Sequence, residues 1–288
     1  MSAELVRASG DREHRQAGIT RTRSPGTTVA LLAAAFLIVA AALAPWIAPY
    51  APDGIDLAAR RAAPSTSHWF GTDDLGRDLL TRVLFGARVS LAMGILAAGL
   101  TVALGAGIGT VAGWTGRWVD ALLMRVADAV LAMPRLPLLM IVSVIIRPGV
   151  GLLILLVAAV SWMETARVVR AEVQSLVTRG FVEAAHAMGT PALAAMWRHI
   201  LPNVTPTLVV ATTLAVGRSI LLESAMSFFG VGVQPPTPSW GNMLYQAQAT
   251  MATEPWLALF PGLAILLSVL IVNALGEGLN ARRMRPGT

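Results

Sequence analysis

Residues 183–203 read EAAHAMGTPALAAMWRHILPN, a partly charged segment set between two of the most apolar stretches of the chain. Positions 181–188 hold helix-forming residues, and Gly189 suits the left-handed conformation that ends a helix. Thr190 can cap a second helix with Pro191 at its first position, and ALAAMWRHI continues it until Pro202 stops it. The first of these helices is too short to be stable alone in water, so the segment needs a surface to dock against. What that surface is depends on what flanks it.

The flanks are lipid-soluble. Of 288 residues, 55% are hydrophobic and only 13% charged, and the mean hydropathy is +0.66, outside the balance of a water-soluble domain. A polytopic membrane protein follows. The net charge of +6 would suggest nucleic acid in a soluble protein, but all 22 basic residues are arginine, and arginine beside membrane spans is what orientation requires. With no cysteine there is neither a disulfide framework nor a thiolate metal site.

A spanning helix needs about 20 apolar residues, and charge-free runs locate six candidates. The first is TTVALLAAAFLIVAAALAPWIAPY within 24–52. A signal peptide is the alternative there, but Pro45 follows directly on the small residues 42–44, and the apolar core is longer than a signal sequence has. The second, within 89–116, carries Gly99, Gly105, Gly107, Gly109 and Gly113, a composition suited to close helix packing in lipid. The third, ALLMRVADAVLAMPRLPLLMIVSVII, contains Arg125, Asp128 and Arg135, each costing about 2.5–3.5 kcal/mol at a bilayer centre. Pro134 and Pro137 break or kink it. An interfacial or protein-packed first half, with Arg125 and Asp128 paired at i,i+3, followed by a spanning second half, is the expectation. Residues 148–163 give a short fourth span, 200–217 open a fifth that continues past Arg218 and Glu223, and 256–275 form the sixth.

Arginine positions orient the spans. With both termini in the cytoplasm, Arg7, Arg12, Arg15, Arg21, Arg23, Arg117, Arg167, Arg170, Arg179, Arg198, Arg282, Arg283 and Arg285 all lie inside, while 229–255 outside has none. The first outer stretch, with Arg60, Arg61, Arg77 and Arg82 in the loop and Arg88 just after it, fits this less well. The expected organisation is a disordered cytoplasmic tail at 1–24, a first span at 25–48, an extracytoplasmic loop at 49–87 and a transmembrane core at 88–280. That core contains a cytoplasmic loop at 166–203 and an extracytoplasmic loop at 227–256, and a cytoplasmic tail follows at 281–288. The segment 183–203 thus faces the cytoplasm.

Enzymatic chemistry has no support. A phosphate-binding loop needs its lysine, and the chain has none. His14, His68, His186 and His199 are scattered without an HExxH pattern, so no zinc site is expected. Ser143, Ser161, Ser219 and Ser268 lie near spans with no intramembrane histidine to activate them. Arg218 and Glu223 are five residues apart, off the i,i+3 and i,i+4 spacings, and reach different neighbours. With Asp128 they either face a translocation path or sibling subunit, or form structural ion pairs near helix ends.

Glu183-Ala184-Ala185, Gly189 and, twelve and thirteen residues after it, Leu201-Pro202 resemble the EAA loop of ABC importer permeases. His199 stands where the general pattern has Ile, and RHILPN is similar to the peptide-importer branch. HWFGTDDLGRDLLTRVLFGARVSL at 68–91, ESAMSFFGVGVQPPTPSWGNML at 223–244 and PGLAILLSVLIVNALGEGLNARRMRP at 261–286 resemble dipeptide, oligopeptide and nickel permeases. The amino-terminal tail and first span match only in layout. The resemblance implies an all-α membrane protein of six transmembrane helices, of the type I ABC importer permease class.

It further implies a pore shared with a homologous permease subunit as a heterodimer, an extracytoplasmic substrate-binding protein, and two ATPase subunits that bind the ATP and Mg. No cofactor is expected on this chain itself. Peptide is the implied cargo, with nickel or a metal chelate as the alternative, and a non-transporting scaffold protein as the alternative outside the family. Within the loop, Glu183 would supply a polar docking contact, Ala184 and Ala185 a close-packed face, Gly189 the turn, and Pro202 the stop; His199 and Leu201 complete the motif. Glu223 would be the first residue of the outer gate region. Gln234, Pro235, Pro236 and Trp240 would form a stiff outer segment, with Trp240 anchored at the membrane interface or near a pore mouth that meets the binding protein.

Overall fold

A computed structural model describes residues 25–283, and among them every regular element is helical. The expected disordered tail at 1–24 and the last five residues lie outside the described residues. The first helix, α1 (Pro25–Ile47), is charge-free and largely exposed on its long apolar side chains, including Leu32, Phe36 and Trp46. In a chain of this composition that surface faces lipid.

The segment after α1 is a folded module. Tyr50 Oη donates to the Ser67 carbonyl at 2.8 Å, His68 Nδ1 meets Asp78 Oδ1 at 3.0 Å, and Asp73 Oδ2 accepts from Arg77 Nε at 2.6 Å. Asp78 caps α2 (Leu79–Thr115) by accepting from Thr81 N at 2.8 Å. The helix therefore begins well before the expected loop boundary at 87. Arg82, expected in that loop, is 1% exposed inside α2, with Nη1 donating to the Pro52 carbonyl at 3.3 Å. Asp73, 3.5 Å from its Nε, offsets the burial of a charge that would otherwise be prohibitive.

Helix α2 is the central pillar, packing on α6 (Trp162–Val177) and α9 (Leu201–Phe228). A Cβ added at Gly105, Gly109 or Gly113 would come within 2.8 Å of a backbone carbonyl of α6, and one at Gly94 would meet Ile220 of α9 at 2.4 Å. Gly99 and Gly107 have open space beside them, so four-residue spacing, and not glycine content as such, makes the close face.

Between these pillars the chain is broken twice. Helices α3 (Arg117–Leu131) and α4 (Arg135–Ile146) meet at 82°, with Pro134 at the junction, where its missing N–H ends the ladder. Helix α5 (Val150–Ala159) meets α6 at 43°. Arg125 and Asp128 do not pair as expected. Asp128 instead takes Arg167, and Asp120 takes Arg170 and Gln174, so α3 is clamped across to α6.

The remaining helices are α7 (Gly180–Ala187), α8 (Ala192–Ala195), α10 (Trp240–Ala247) and α11 (Trp256–Arg283). Helix α11 runs three residues into the expected carboxy-terminal tail. Among the described residues four helices are long and apolar enough to cross a membrane, α8 to α9 counting as one, and taking each bent pair as a further crossing gives six.

Candidate functional site

Two places concentrate the chemistry-bearing residues. The first is the 180–202 segment. Val182 and Ala185, three apart on α7, are 0% and 2% exposed, and Val182 packs with Val169, Val173, Leu176, Ile200 and Val204 of α6, the following turn and α9. On the opposite face Phe181, Glu183, Ala184, Met188 and Gly189 are exposed, followed by Leu193 and Trp197. Gly189 has φ +78°, and Thr190 N donates back to the Ala185 carbonyl at 3.0 Å, closing the turn. Thr190 thus contributes its backbone, not the expected side-chain cap; Pro191 occupies the cap position.

Pro202 does not stop the second helix. Met196–Ile200 widen into a π-turn in which Leu201 N reaches the Met196 carbonyl, and the helix continues from Ala192 to Phe228. The wide turn relieves the clash and lost bond that a proline imposes on a helix interior. His199 is half-buried, its ring 6.3 Å from that of Phe181 and its carbonyl accepting from Asn203 Nδ2 at 2.6 Å. Leu201 is half-buried and Pro202 exposed.

The second place lies where α4, α6 and α9 meet. Arg135 Nη2 donates to Glu164 Oε1 at 2.6 Å, and Arg218 Nη1 pairs with Glu164 Oε2, tying α4, α6 and α9 together beside a cavity of about 300 Å³. The Arg218 side chain is 60% exposed. On a helix long enough to span a bilayer, a guanidinium so exposed is incompatible with hydrocarbon and requires water or protein beside it.

The three ionisable residues expected together do not converge. Arg218 sits at this cavity, Asp128 is an exposed partner of Arg167, and Glu223 is 2% exposed, accepting from Ser227 Oγ at 2.8 Å. Arg218 and Glu223 do reach different neighbours. Sequence reasoning missed Glu164, the acid that organises the cluster; its position just after the apolar run 148–163 was the available signal.

On the outer segment Gln234, Pro235 and Pro236 are exposed, but Trp240 is not an interfacial anchor. Its indole is 1% exposed, Nε1 donates to the Val83 carbonyl at 3.0 Å, and the ring lies against Gly86. Ser239 starts α10 with a reciprocal cap to Asn242, which draws the ring inward.

Among the described residues the chain is an all-helical bundle with helices of membrane-spanning length and with Arg82 and Glu223 buried inside it. The family model described as the binding-protein-dependent transport system inner membrane component matches residues 105–285, and that for the N-terminal TM domain of oligopeptide transport permease C matches 22–64. The chain belongs to the inner-membrane component family of binding-protein-dependent transport systems and is a multi-pass protein of the bacterial inner membrane. A peptide permease protein of Brucella suis biovar 1 is 43% identical over 81% of this chain and 78% of its own length. The glutathione transport system permease protein of Escherichia coli O6:K15:H31 is 42% identical over 87% of this chain and 84% of its own.

Proposed function

We propose that this chain is one of two homologous permease subunits forming the pore of an ATP-driven importer of short peptides. It crosses the membrane six times with both termini in the cytoplasm, and it receives cargo from an extracytoplasmic binding protein near Gln234, Pro235 and Pro236. ATP and Mg are bound by two separate ATPase subunits. The observation that carries the reading is the two-faced 180–202 segment. Its inner face is packed on α6 and α9, while Phe181, Glu183, Met188, Leu193 and Trp197 are left exposed. Relatives named for peptide and for glutathione, itself a tripeptide, support the cargo class.

In this mechanism, closure of the ATPases pushes on the segment. Because the helix runs unbroken from Ala192 to Phe228, displacement passes directly into α9 and to Arg218 at the cavity. A packed bundle answers such a push by switching between discrete arrangements, opening the path alternately outward and inward.

The test is co-purification. The subunit is tagged and gently solubilised, and the accompanying chains are identified, with Glu183→Ala plus Gly189→Pro as the comparison. ATPase subunits accompany the native segment and are lost from the altered one. Their retention by both, or absence from both, would remove the docking role.

A further inference from the structure

The cavity beside Arg218 holds more positive charge than its own structure uses. Of the residues lining it, the charged ones are Arg135, Arg218 and Glu164, two guanidiniums against one carboxylate. Each arginine spends one terminal nitrogen on Glu164. A guanidinium carries five N–H donors, and among the described residues neither arginine makes a second hydrogen bond or ion pair. Thr101 Oγ1, also on the cavity wall, is buried without a partner. Ser161, Thr165, Thr207, Ser219 and Asn280 add further polar groups to a lining that is aliphatic elsewhere. Arginine forks match carboxylates in geometry as well as charge.

We propose that this cavity is a cargo contact that takes the carboxyl terminus of the passing peptide, held by the free donors of Arg135 and Arg218. Glu164 bridges the two guanidiniums and, by offsetting part of their charge, keeps the site from binding the anion too tightly to release. The identity of the visitor rests on the peptide-importer reading above; the anion preference rests on the cavity alone. Arg218 lies on the helix that continues from the docking segment, so movement of that helix relative to Arg135 and Glu164 would open and close the grip.

The absence of cysteine makes the test direct. Ala211→Cys, on the cavity wall, gives the chain a single thiol. The full importer is placed in liposomes, and modification of this chain by sulfonatoethyl or trimethylammonium-ethyl methanethiosulfonate is followed by intact mass. With each rate divided by that reagent's rate with 2-mercaptoethanol, the anionic reagent is expected to be favoured about tenfold, the low end of the enrichment a charged cleft produces. Arg218→Gln removes that preference and Arg218→Lys keeps it, and the lysine variant decides the matter if the glutamine variant does not assemble. Trialanine with ATP slows modification when Arg218 is present and not in Arg218→Gln.

Absence of reaction with either reagent in every state would mean that the face is sealed against the sibling subunit. Equal normalised rates, or a preference that survives Arg218→Gln, would equally overturn the proposal. If the preference is present but trialanine neither protects nor accumulates, the anion site stands and the peptide cargo falls.

Discussion

At Gly189 the backbone sits at φ +78° with no atom within 4 Å of where a Cβ would go, so a substitution there is opposed by conformation alone. A side chain in the left-handed region costs about 1–2 kcal/mol, and proline cannot reach it. Gly189→Asn is expected to preserve coupling, whereas Gly189→Pro inserts into the membrane but hydrolyses ATP without uptake. Both rates, measured in the same proteoliposomes, check this, and normal uptake by the proline variant would sink the lever mechanism. Glu223 behaves differently. It accepts from Ser227 Oγ, which itself accepts from Val233 N at 3.0 Å, so the carboxyl ties α9 to the outer segment. Glu223→Leu would strand those hydroxyls at a cost of about 1–3 kcal/mol, while Glu223→Gln keeps an acceptor; melting midpoints of the purified subunit separate the two. The turn at Gly189 was legible because positive φ has a residue signature. The role of Glu223 was not, because a carboxyl in an apolar run reads alike whether it faces a pore or a set of serines.

Close approach between elements explains why α2 and α6 hold together without a stripe of large side chains. A Cβ at Gly109 would lie 2.4 Å from the Ala166 carbonyl, whereas one at Gly99 meets nothing. Gly109→Val is therefore expected to abolish the folded subunit, and Gly99→Val to leave its yield and elution profile unchanged in detergent. Loss in both would mean that glycine acts through insertion and not through packing. Trp240→Ala empties a buried site on α10 and costs about 3–5 kcal/mol, read as a lowered melting midpoint; an unchanged midpoint would contradict its burial. Spans of this kind were visible as charge-free runs. Hidden from such a count were the start of α2 at Leu79, because Arg82 there reads as a loop residue until Asp73 and Pro52 are seen around it, and the helix continuing past Pro202. A π-turn has no composition signature of its own.

Across the whole molecule the docking segment and the outer segment are expected on opposite sides of the membrane. Cysteine placed at Gln234 should react with an impermeant maleimide in intact spheroplasts, and cysteine at Met188 only in inverted vesicles; both side chains are exposed. Reaction of both from one side would overturn the orientation. By itself the sequence determined the membrane class, the approximate spans, the glycine turn and the short helix before it, because hydropathy, left-handed backbone and helix length are local properties set by neighbouring residues. Only the tertiary structure decided that Asp128 pairs with Arg167, that Glu223 and Trp240 are interior, and that Arg135, Glu164 and Arg218 share one cavity. Those partners come from helices far apart in the chain, and the energy of a charge or ring in a membrane protein depends on what packing brings to it, which no local pattern contains.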